Sequence, residues 1–330
     1  MINKVSTLLA LSAILVACVE ADADRDFYAG EDVTYIVATA AGGGYDAYAR
    51  HIGTYLQKYL QVDNVVIRNV PGAGHIVGAN TLWRARPNGL TIGTFNAGLI
   101  YEQLLGDDAL RLDLRKFQWI GKAAGEPRAI VVSKSCPIKS VEDLMAATTP
   151  VKFGSAGIGS ASYSDTMLLA AALDLKVQVI PGFDGTEGEM SMLRGEICAV
   201  LGSASSFINF INAGHGSYLL AIGDGLAGVP NAIDYATTDR GRRLLKFIDS
   251  LSRLGRVTAA PPGTPPERVA ALRAAYKASL EDPQFLAESE KLGQPIEPAY
   301  GEDVQQLVSE ALDQTPQTIE LIAQAINGGS

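Results

Sequence analysis

The sequence predicts an α/β protein of two lobes, and three features of the chain support this. Strand-like and helix-like patterns alternate along most of the 330 residues, which is typical of βα units around mostly parallel sheets. Glycine-rich turns follow strands in both halves of the chain. The length is enough for two domains of ordinary size, and 47% of the residues are hydrophobic, which suits compact cores.

The individual elements follow from hydrophobic periodicity and turn residues. A run of β-branched and aromatic residues predicts a strand at 33–38, and apolar residues at helical spacing predict a helix from Tyr45 to Leu60. Later helices are predicted around 77–83 and through 167–171. A capping box at Ser140 and Asp143 predicts the start of another helix between them. Further strands are predicted at 64–68, 90–95, 130–132, 151–153, 177–180, 197–201 and 218–222.

A proline-rich segment at 261–267 marks the strongest boundary in the chain. Thr264 and Glu267 have the spacing of a capping box, with prolines in the first helical turn where a missing N–H costs nothing. From this segment to Ser330 the pattern is helical. Such a helical tail, after two sets of βα units, is compatible with two lobes that share crossover strands.

The N-terminus has the pattern of a targeting segment. A short positive region with Lys4 precedes an apolar run at 5–16 that is too short to span a membrane. The segment Leu15-Val16-Ala17-Cys18 resembles a bacterial lipobox, which predicts a signal peptide at 1–17 and lipidation of Cys18. The alternative is ordinary cleavage at a small residue such as Ala21 or Ala23. Either way, we expect an exported, periplasmic protein, and the lipobox predicts a membrane anchor through Cys18.

The net charge and the numbers of histidines and cysteines argue against several classes of function. The formal net charge of −9, without a basic stripe, argues against nucleic acid as a partner. The three histidines are scattered and give no metal-ligand spacing, so neither a metal nor a cofactor is expected. After Cys18, only Cys136 and Cys198 remain. In an oxidising compartment they are a candidate disulfide, although Cys198 could equally be a buried thiol.

The candidate site consists of glycine and serine turns that follow strands. Backbone N–H groups at a helix N-terminus can hold an anion without a charged side chain, and serine hydroxyls can add further donors. Because ligands gather at the carboxyl ends of strands in α/β sheets, turns from both halves predict one cleft between two lobes. The candidate ligand-binding residues are Gly42, Gly43, Gly44, Tyr45, Asp46, Gly72, Ala73, Gly74, His75, Ser155, Gly157, Gly159, Ser160, Ala161, Ser162, Gly182, Phe183, Asp184, Ser203 and Ser205.

Several of these residues also have a purely structural interpretation. Gly72-Ala73-Gly74 is close to a dinucleotide fingerprint, but the third glycine is misplaced and tight helix packing explains the turn better. Ser160 or Ser162 could simply cap the following helix. Asp46 could suit the helix dipole and order its loop. Catalysis has little support, because neither a G-x-S-x-G elbow nor an H-E-x-x-H motif occurs.

The order and spacing of several motifs resemble one family, the tripartite tricarboxylate transporter substrate-binding proteins, also called the Bug or TctC family. The motifs are Gly42-Gly43-Gly44-Tyr45-Asp46 with Ala49-Arg50, Arg68-Asn69-Val70-Pro71-Gly72-Ala73-Gly74, Pro87-Asn88-Gly89-Leu90-Thr91, Phe153-Gly154-Ser155 through Ser162, and Ala260-Pro261-Pro262-Gly263-Thr264-Pro265. The chain departs from the family in the loop 182–185, where Tyr-Lys-Gly is common. The resemblance therefore indicates the fold more firmly than the ligand.

This resemblance implies a periplasmic binding protein of type II architecture, with each lobe a mixed sheet flanked by helices. It implies a first lobe of residues 27–124 and 252–330 and a second lobe of residues 125–251. The expected function is non-enzymatic capture of a small organic carboxylate and its delivery to the permease subunits of a tripartite tricarboxylate transporter, by a monomer. The alternatives are an exported hydrolase that uses the same cleft and a ligand sensor for a membrane signalling partner.

Overall fold

The computed structural model describes residues 27–328, so the predicted signal peptide and Cys18 lie outside the described part of the chain. Within that part, no helix is both long enough and apolar enough to span a bilayer. The strands are β1 (Asp32–Val37), β2 (Asn64–Asn69), β3 (Thr91–Thr94), β4 (Gln118–Ala124), β5 (Arg128–Ser133), β6 (Val151–Ser155), β7 (Val177–Pro181), β8 (Ala199–Ser203), β9 (Gly216–Ile222), β10 (Gly255–Ala260) and β11 (Ala299–Tyr300).

Helices connect and cover these strands. They are α1 (Gly44–Leu60), α2 (Ile76–Trp83), α3 (Leu99–Leu105), α4 (Val141–Met145), α5 (Ala161–Leu173), α6 (Glu187–Arg194), α7 (Ile208–Asn212), α8 (Asp239–Ser252), α9 (Pro266–Leu280), α10 (Pro283–Lys291), α11 (Gly301–Leu312) and α12 (Pro316–Asn327). Short 3₁₀ turns precede two of them, at Ala73–His75 before α2 and at Ala204–Phe207 before α7.

The strands form two mixed sheets with matching topology. The first has the order β11-β4-β10-β3-β1-β2 and the second the order β7-β6-β8-β5-β9. In the first sheet β1 is parallel to β2 and β3, and β10 runs antiparallel to both β3 and β4. In the second, β6 is parallel to β7 and β8, and β5 runs antiparallel to both β8 and β9. Each sheet therefore contains one central antiparallel strand.

These two antiparallel strands are the crossovers. β4 ends at Ala124 in the first sheet, and β5 begins four residues later, at Arg128, in the second sheet. β10 begins shortly after α8, which packs on α5 in the second lobe, and returns the chain to the first sheet. The two mixed sheets flanked by helices confirm the predicted fold class. The exact lobe boundaries at 124/125 and 251/252 stay a prediction, because α12 near the C-terminus also packs against α5.

The structure adds three strands that the sequence analysis did not identify. β4 and β10 are almost completely buried on both faces and contain several small residues, so neither shows the alternation of a half-exposed strand. Both also contain a buried cation, Lys122 in β4 and Arg256 in β10, which hides their apolar character. The third strand, β11, is only two residues long and interrupts the otherwise helical tail.

The two predicted capping boxes have different outcomes. Ser140 accepts a hydrogen bond from the N–H of Asp143, whose side chain caps the first turn in return, so this box is confirmed. The box at Thr264 and Glu267 is wrong. The Thr264 hydroxyl instead donates to the carbonyl of Pro261 at 2.8 Å, and α9 begins after Pro265 without a side-chain cap. The hydroxyl therefore closes the preceding proline turn, where it is buried.

The two cysteines that the sequence left open form a disulfide in the second lobe. Cys136 lies in the turn after β5 and Cys198 immediately before β8, with their Cα atoms 5.1 Å apart. The bond joins segments 62 residues apart in sequence. It lines a surface groove on the second lobe that shares no lining residue with the cleft described next.

Candidate functional site

The glycine and serine turns of both lobes meet at one cavity of about 110 Å³. The first lobe contributes residues at the ends of β1 and β3 and the N-terminus of α1. The second lobe contributes the turns after β6, β7 and β8. The lining residues are Thr39, Gly43, Gly44, Tyr45, His75, Asn96, Arg128, Ala156, Ser160, Ala161, Ser162, Phe183, Asp184, Gly185, Gly188, Glu189, Val200, Leu201, Gly202, Ser203, Ser206 and Phe207.

The N-terminus of α1 opens into this cavity. Gly43 occupies the N-cap position without a side-chain cap, so the first N–H groups of the helix are not used by a capping side chain. Asp46 lies behind them and orders the loop. Its carboxylate accepts hydrogen bonds from the N–H of Gly42, from Arg50 and from Asn69, all at 2.9 Å. These bonds lower the pKa of Asp46 in spite of its burial. Asp46 is not among the residues that line the cavity.

The N-terminus of α5 faces the same cavity from the second lobe. Ser160 caps this helix: its hydroxyl accepts the N–H of Tyr163 at 3.2 Å and donates to the carbonyl of Gly157 at 2.6 Å. Ser162 Oγ lies 3.0 Å from Ser160 Oγ and accepts the N–H of Ala156 at 3.0 Å. Ser160 and Ser162 therefore order the turn and also border the cavity.

Arg128, the first residue of β5, is the buried cation of the cavity. Its Nε donates to Asp165 at 2.7 Å and its Nη1 to the hydroxyl of Ser203 at 3.0 Å. Asp165 also accepts a hydrogen bond from Tyr101 at 2.7 Å. Burial raises the pKa of Asp165, while Arg128 and Tyr101 oppose that shift. Within residues 27–328, Nη2 of Arg128 has no hydrogen-bond partner, so one end of the guanidinium remains available to a ligand.

Two further polar groups on the first-lobe side have unused hydrogen-bonding capacity. Thr39 Oγ1 and His75 Nδ1 are buried and have no partner in the described part of the chain. His75 is held in the left-handed region at φ 85°, which is uncommon for a residue with a side chain. Burial lowers its pKa to about 4, and nearby Asp184 and Arg128 act on it with opposite signs. Its imidazole is therefore neutral at neutral pH.

Two carboxyl groups line the cavity on the second-lobe side. Asp184 accepts the N–H of Ala40 at 2.9 Å, a contact between the lobes, and the N–H of Gly185 at 2.8 Å. Glu189, in the first turn of α6, makes no hydrogen bond or salt bridge with any described residue. Burial raises the pKa of Glu189 to about 7. The rings of Phe183 and Phe207 form apolar walls.

A second buried arginine lies behind the cavity wall and contacts residues that form it. Arg256 lies near the start of the other crossover strand, β10, with φ 56°, and its guanidinium stacks on the rings of Tyr45 and Tyr48 at 4.5 and 4.7 Å. Its Nη2 donates to Glu126 at 3.0 Å and to Ser206 at 2.9 Å. Burial lowers the pKa of Arg256, but Glu126 and the two tyrosines outweigh that effect and the net shift is upward. Arg256 thus fixes Tyr45 at the cavity wall.

Half of the predicted site residues line the cavity, and the other half do not. Those that line the cavity are Gly43, Gly44, Tyr45, His75, Ser160, Ala161, Ser162, Phe183, Asp184 and Ser203. Those that do not line it are Gly42, Asp46, Gly72, Ala73, Gly74, Ser155, Gly157, Gly159, Gly182 and Ser205. Ser205, for example, donates through both its N–H and its hydroxyl to Glu126, behind the wall.

The sequence predicted Asp184, but it did not single out the other charged residues in and behind the cavity wall. Arg128 and Arg256 each stand at the start of a crossover strand, and Glu189 lies in the first turn of a short helix. One signal was present at 126–128, where a glutamate and a proline precede the arginine that begins an apolar strand. From the sequence pattern alone, an isolated arginine at this position cannot be distinguished from a charged residue at the solvent-exposed end of a strand.

Solved structures that share this fold include periplasmic binding proteins. The periplasmic binding protein BugD superposes with a TM-score of 0.76 at 24% identity, covering 90% of this chain and 98% of that one. MatC from Rhodopseudomonas palustris, solved with bound malate, gives a TM-score of 0.72 at 22% identity, covering 88% and 99%. The fold and the cleft between its sheets are those of the two-lobed periplasmic-binding-protein fold.

The sequence comparisons give the family. The model of the family described as Tripartite tricarboxylate transporter family receptor matches residues 48–327, and the chain belongs to this family of solute-binding proteins. A curated relative, a UPF0065 protein of Agrobacterium vitis, is 28% identical over 82% of this chain and 77% of its own length.

Proposed function

We propose that this protein captures a small organic carboxylate in the cavity between its lobes and presents it to the membrane permease of a tripartite tricarboxylate-type transporter. The observation that carries the proposal is the buried guanidinium of Arg128, which lines the cavity and keeps Nη2 without a partner among residues 27–328. A carboxylate matches the geometry of such a planar donor group.

The surrounding groups complete an anion-binding environment. The N-terminus of α1 at Gly43 and that of α5 at Ser160 approach the cavity from opposite lobes. A hydrogen bond to a charged group contributes about 1.5–3 kcal/mol and a helix terminus about 0.3–1 kcal/mol. Four or five such contacts would be sufficient for micromolar binding, which requires about 8 kcal/mol.

Delivery to a permease is supported by the family. The family description names a receptor of the tripartite tricarboxylate transporter, and MatC, which shares the fold, was solved with a carboxylic acid in place. In this mechanism the ligand contacts both lobes at once, so it stabilises the closed arrangement by differential binding. The closed protein is then the form that the permease recognises.

The test combines a ligand screen with a conservative variant of Arg128. Mono-, di- and tricarboxylates are screened by thermal shift, because a ligand that binds only the folded state raises the Tm. Arg128→Lys keeps a positive charge beside Asp165 but loses the planar fork. We expect it to weaken the best ligand by about tenfold to a hundredfold in titration calorimetry, equivalent to one charge-assisted hydrogen bond.

The matched control is Arg194→Lys, on the outer surface of α6, where Arg194 pairs with Glu196. This variant should bind the ligand as the wild-type protein does. The proposal fails if no carboxylate of the panel raises the Tm. It also fails if folded Arg128→Lys binds the best ligand with unchanged affinity.

Export and anchoring form a separate part of the proposal. They are supported by the apolar segment at 5–16 and the lipobox-like Leu15–Cys18, both outside the described residues. Expression in a Gram-negative host should yield a membrane-associated protein that incorporates labelled palmitate. A Cys18→Ala variant should lose the label. Equal labelling of both proteins would show that Cys18 is not the lipidated residue.

A further inference from the structure

We propose that the carboxylate bound by this protein also carries a cationic group, and that Glu189, assisted by Asp184, receives that group at the second-lobe side of the cavity. This inference rests on the proposed capture of a carboxylate and specifies its chemical class: an amino-carboxylate, with both charges on one small molecule.

The charge balance of the cleft does not favour a simple dianion. Arg128 is neutralised by Asp165 at 2.7 Å, and Arg256 is neutralised by Glu126 at 3.0 Å. The two carboxyl groups that line the cavity, Asp184 and Glu189, have no salt-bridge partner in the described residues. A ligand with two carboxylates and no cation would place a negative charge close to uncompensated carboxyl groups.

The position of Glu189 is not explained by its helix. An acidic residue in the first turn of α6 is favourable because of the helix dipole, and Glu187 fills that role on the same turn with its side chain 63% exposed. Glu189 instead faces the cavity, without a hydrogen-bond partner among residues 27–328. Glu189 is half-buried, so its carboxylate loses part of its hydration without gaining a protein partner, and an ammonium group is the partner that would compensate for that loss.

The unused polar groups of the first lobe supply a second, independent observation. His75 Nδ1 and Thr39 Oγ1 are more than nine-tenths buried, line the same cavity and have no partner in the described residues. Asp184 and Arg128 both act electrostatically on the His75 imidazole, with opposite signs. A cavity of about 110 Å³ therefore presents acceptors and donors to the same small molecule.

The test uses pairs of ligands that differ only by an ammonium group: succinate against aspartate, and glutarate against glutamate. Titration calorimetry is performed on the wild-type protein and on Glu189→Gln, with Glu187→Gln as the matched control on the same helical turn. We expect the ammonium-bearing member to bind at least about tenfold more tightly to the wild-type protein. Glu189→Gln should remove most of this preference, and Glu187→Gln should keep it.

The pH dependence gives a second readout with opposite signs for the two ligand classes. Burial raises the pKa of Glu189 to about 7, so it ionises between about pH 6 and about pH 8. Affinity for the ammonium-bearing ligand should rise over that interval, while affinity for the plain dicarboxylate should fall. The other charged groups that face the cavity are Asp184 and Arg128. His75 also faces it, but its imidazole stays neutral between about pH 6 and about pH 8, because burial lowers its pKa to about 4.

The outcomes separate this inference from the function on which it rests. If succinate or glutarate binds as tightly as its amino analogue, carboxylate capture stands and the inference is overturned. If the preference exists but survives in Glu189→Gln, the assignment of Glu189 is overturned. If neither member of any pair binds, this inference is overturned, while the proposed carboxylate function fails only if no carboxylate of the wider panel binds.

Discussion

Gly43 and Gly185 face each other across the cleft with no room for a side chain between them. A β-carbon on Gly43 would lie 2.9 Å from the Cα of Gly185. A β-carbon on Gly98 would likewise overlap the backbone nitrogen of Ala161. These pairs join the first lobe to the second, so glycine is needed here for close approach of two backbones. In this structure the lobes are in contact.

We predict that Gly43→Ala weakens ligand binding without unfolding the protein. Gly43 has φ −79°, so its own backbone accepts alanine and only the contact with Gly185 is disturbed. Overpacking of this kind costs about 1–3 kcal/mol, which here opposes closure. Titration calorimetry should show an affinity loss of about fivefold to a hundredfold.

The control for this prediction is Gly53→Ala, which adds the same methyl group to the same helix. Its nearest neighbours are the side chains of Val65 and Ile67 within the first lobe, at 3.2 and 3.3 Å. We expect its affinity to equal that of the wild-type protein. Equal affinities in Gly43→Ala and the control would show that this contact does not limit closure.

The two serines of the α5 turn should differ in their effect on stability. Ser160→Ala removes the helix cap and should lower stability by about 0.5–2 kcal/mol in thermal denaturation. Ser162→Ala leaves the cap in place and should change the Tm less. Both variants should bind the ligand more weakly, because both hydroxyls border the cavity. Unchanged affinity in folded Ser162→Ala would remove this hydroxyl from the site.

Glu102→Gln should stabilise the protein, and more so at alkaline pH. Burial, with the hydrogen bond and charge of Asp107, raises the pKa of Glu102 to about 7. Because the folded-state pKa exceeds the unfolded value, this group favours folding below about pH 4.5, and that contribution is lost as the pH rises towards 7. We expect a gain of about 1–2 kcal/mol near pH 8, allowing for solvent screening, and little gain near pH 4.

Thermal denaturation of Glu102→Gln at both pH values checks this prediction. The exposed residue Glu290 provides the control variant, Glu290→Gln, which should change the Tm little at either pH. A gain that is equal at both pH values would contradict the titration of Glu102 as its cause.

Reduction of the Cys136–Cys198 bond should destabilise the protein and leave ligand affinity unchanged. The bond closes a loop across 62 residues of sequence, and such bonds typically contribute about 2–4 kcal/mol. Urea denaturation with and without reductant measures the loss, and a Cys136→Ser/Cys198→Ser variant is the control for reductant effects. Identical midpoints for the oxidised and reduced protein would be contrary to this expectation.

The sequence predicted most of the strands and the turns that border the cavity. Strands such as β1 and β7 carry β-branched runs that lead into glycine or proline turns, and these local signals are strong. The glycines at 42–44 and the serines at 160 and 162 were identified because a helix N-terminus has a local signature. Helix capping depends on a few neighbouring residues, so the cap at Ser160 could be predicted, whereas the Thr264 hydroxyl closes the preceding proline turn instead of capping α9.

The charged interior was decided only by the tertiary structure. Nothing near Arg128 in sequence indicates that Asp165, 37 residues later, neutralises it, or that Glu126 pairs with Arg256 at a separation of 130 residues. The same holds for Gly43 and Gly185, which meet only when two lobes approach. Hydrophobic periodicity reports which face of an element is buried, but burial of a charge depends on a partner that long-range folding brings within hydrogen-bond distance.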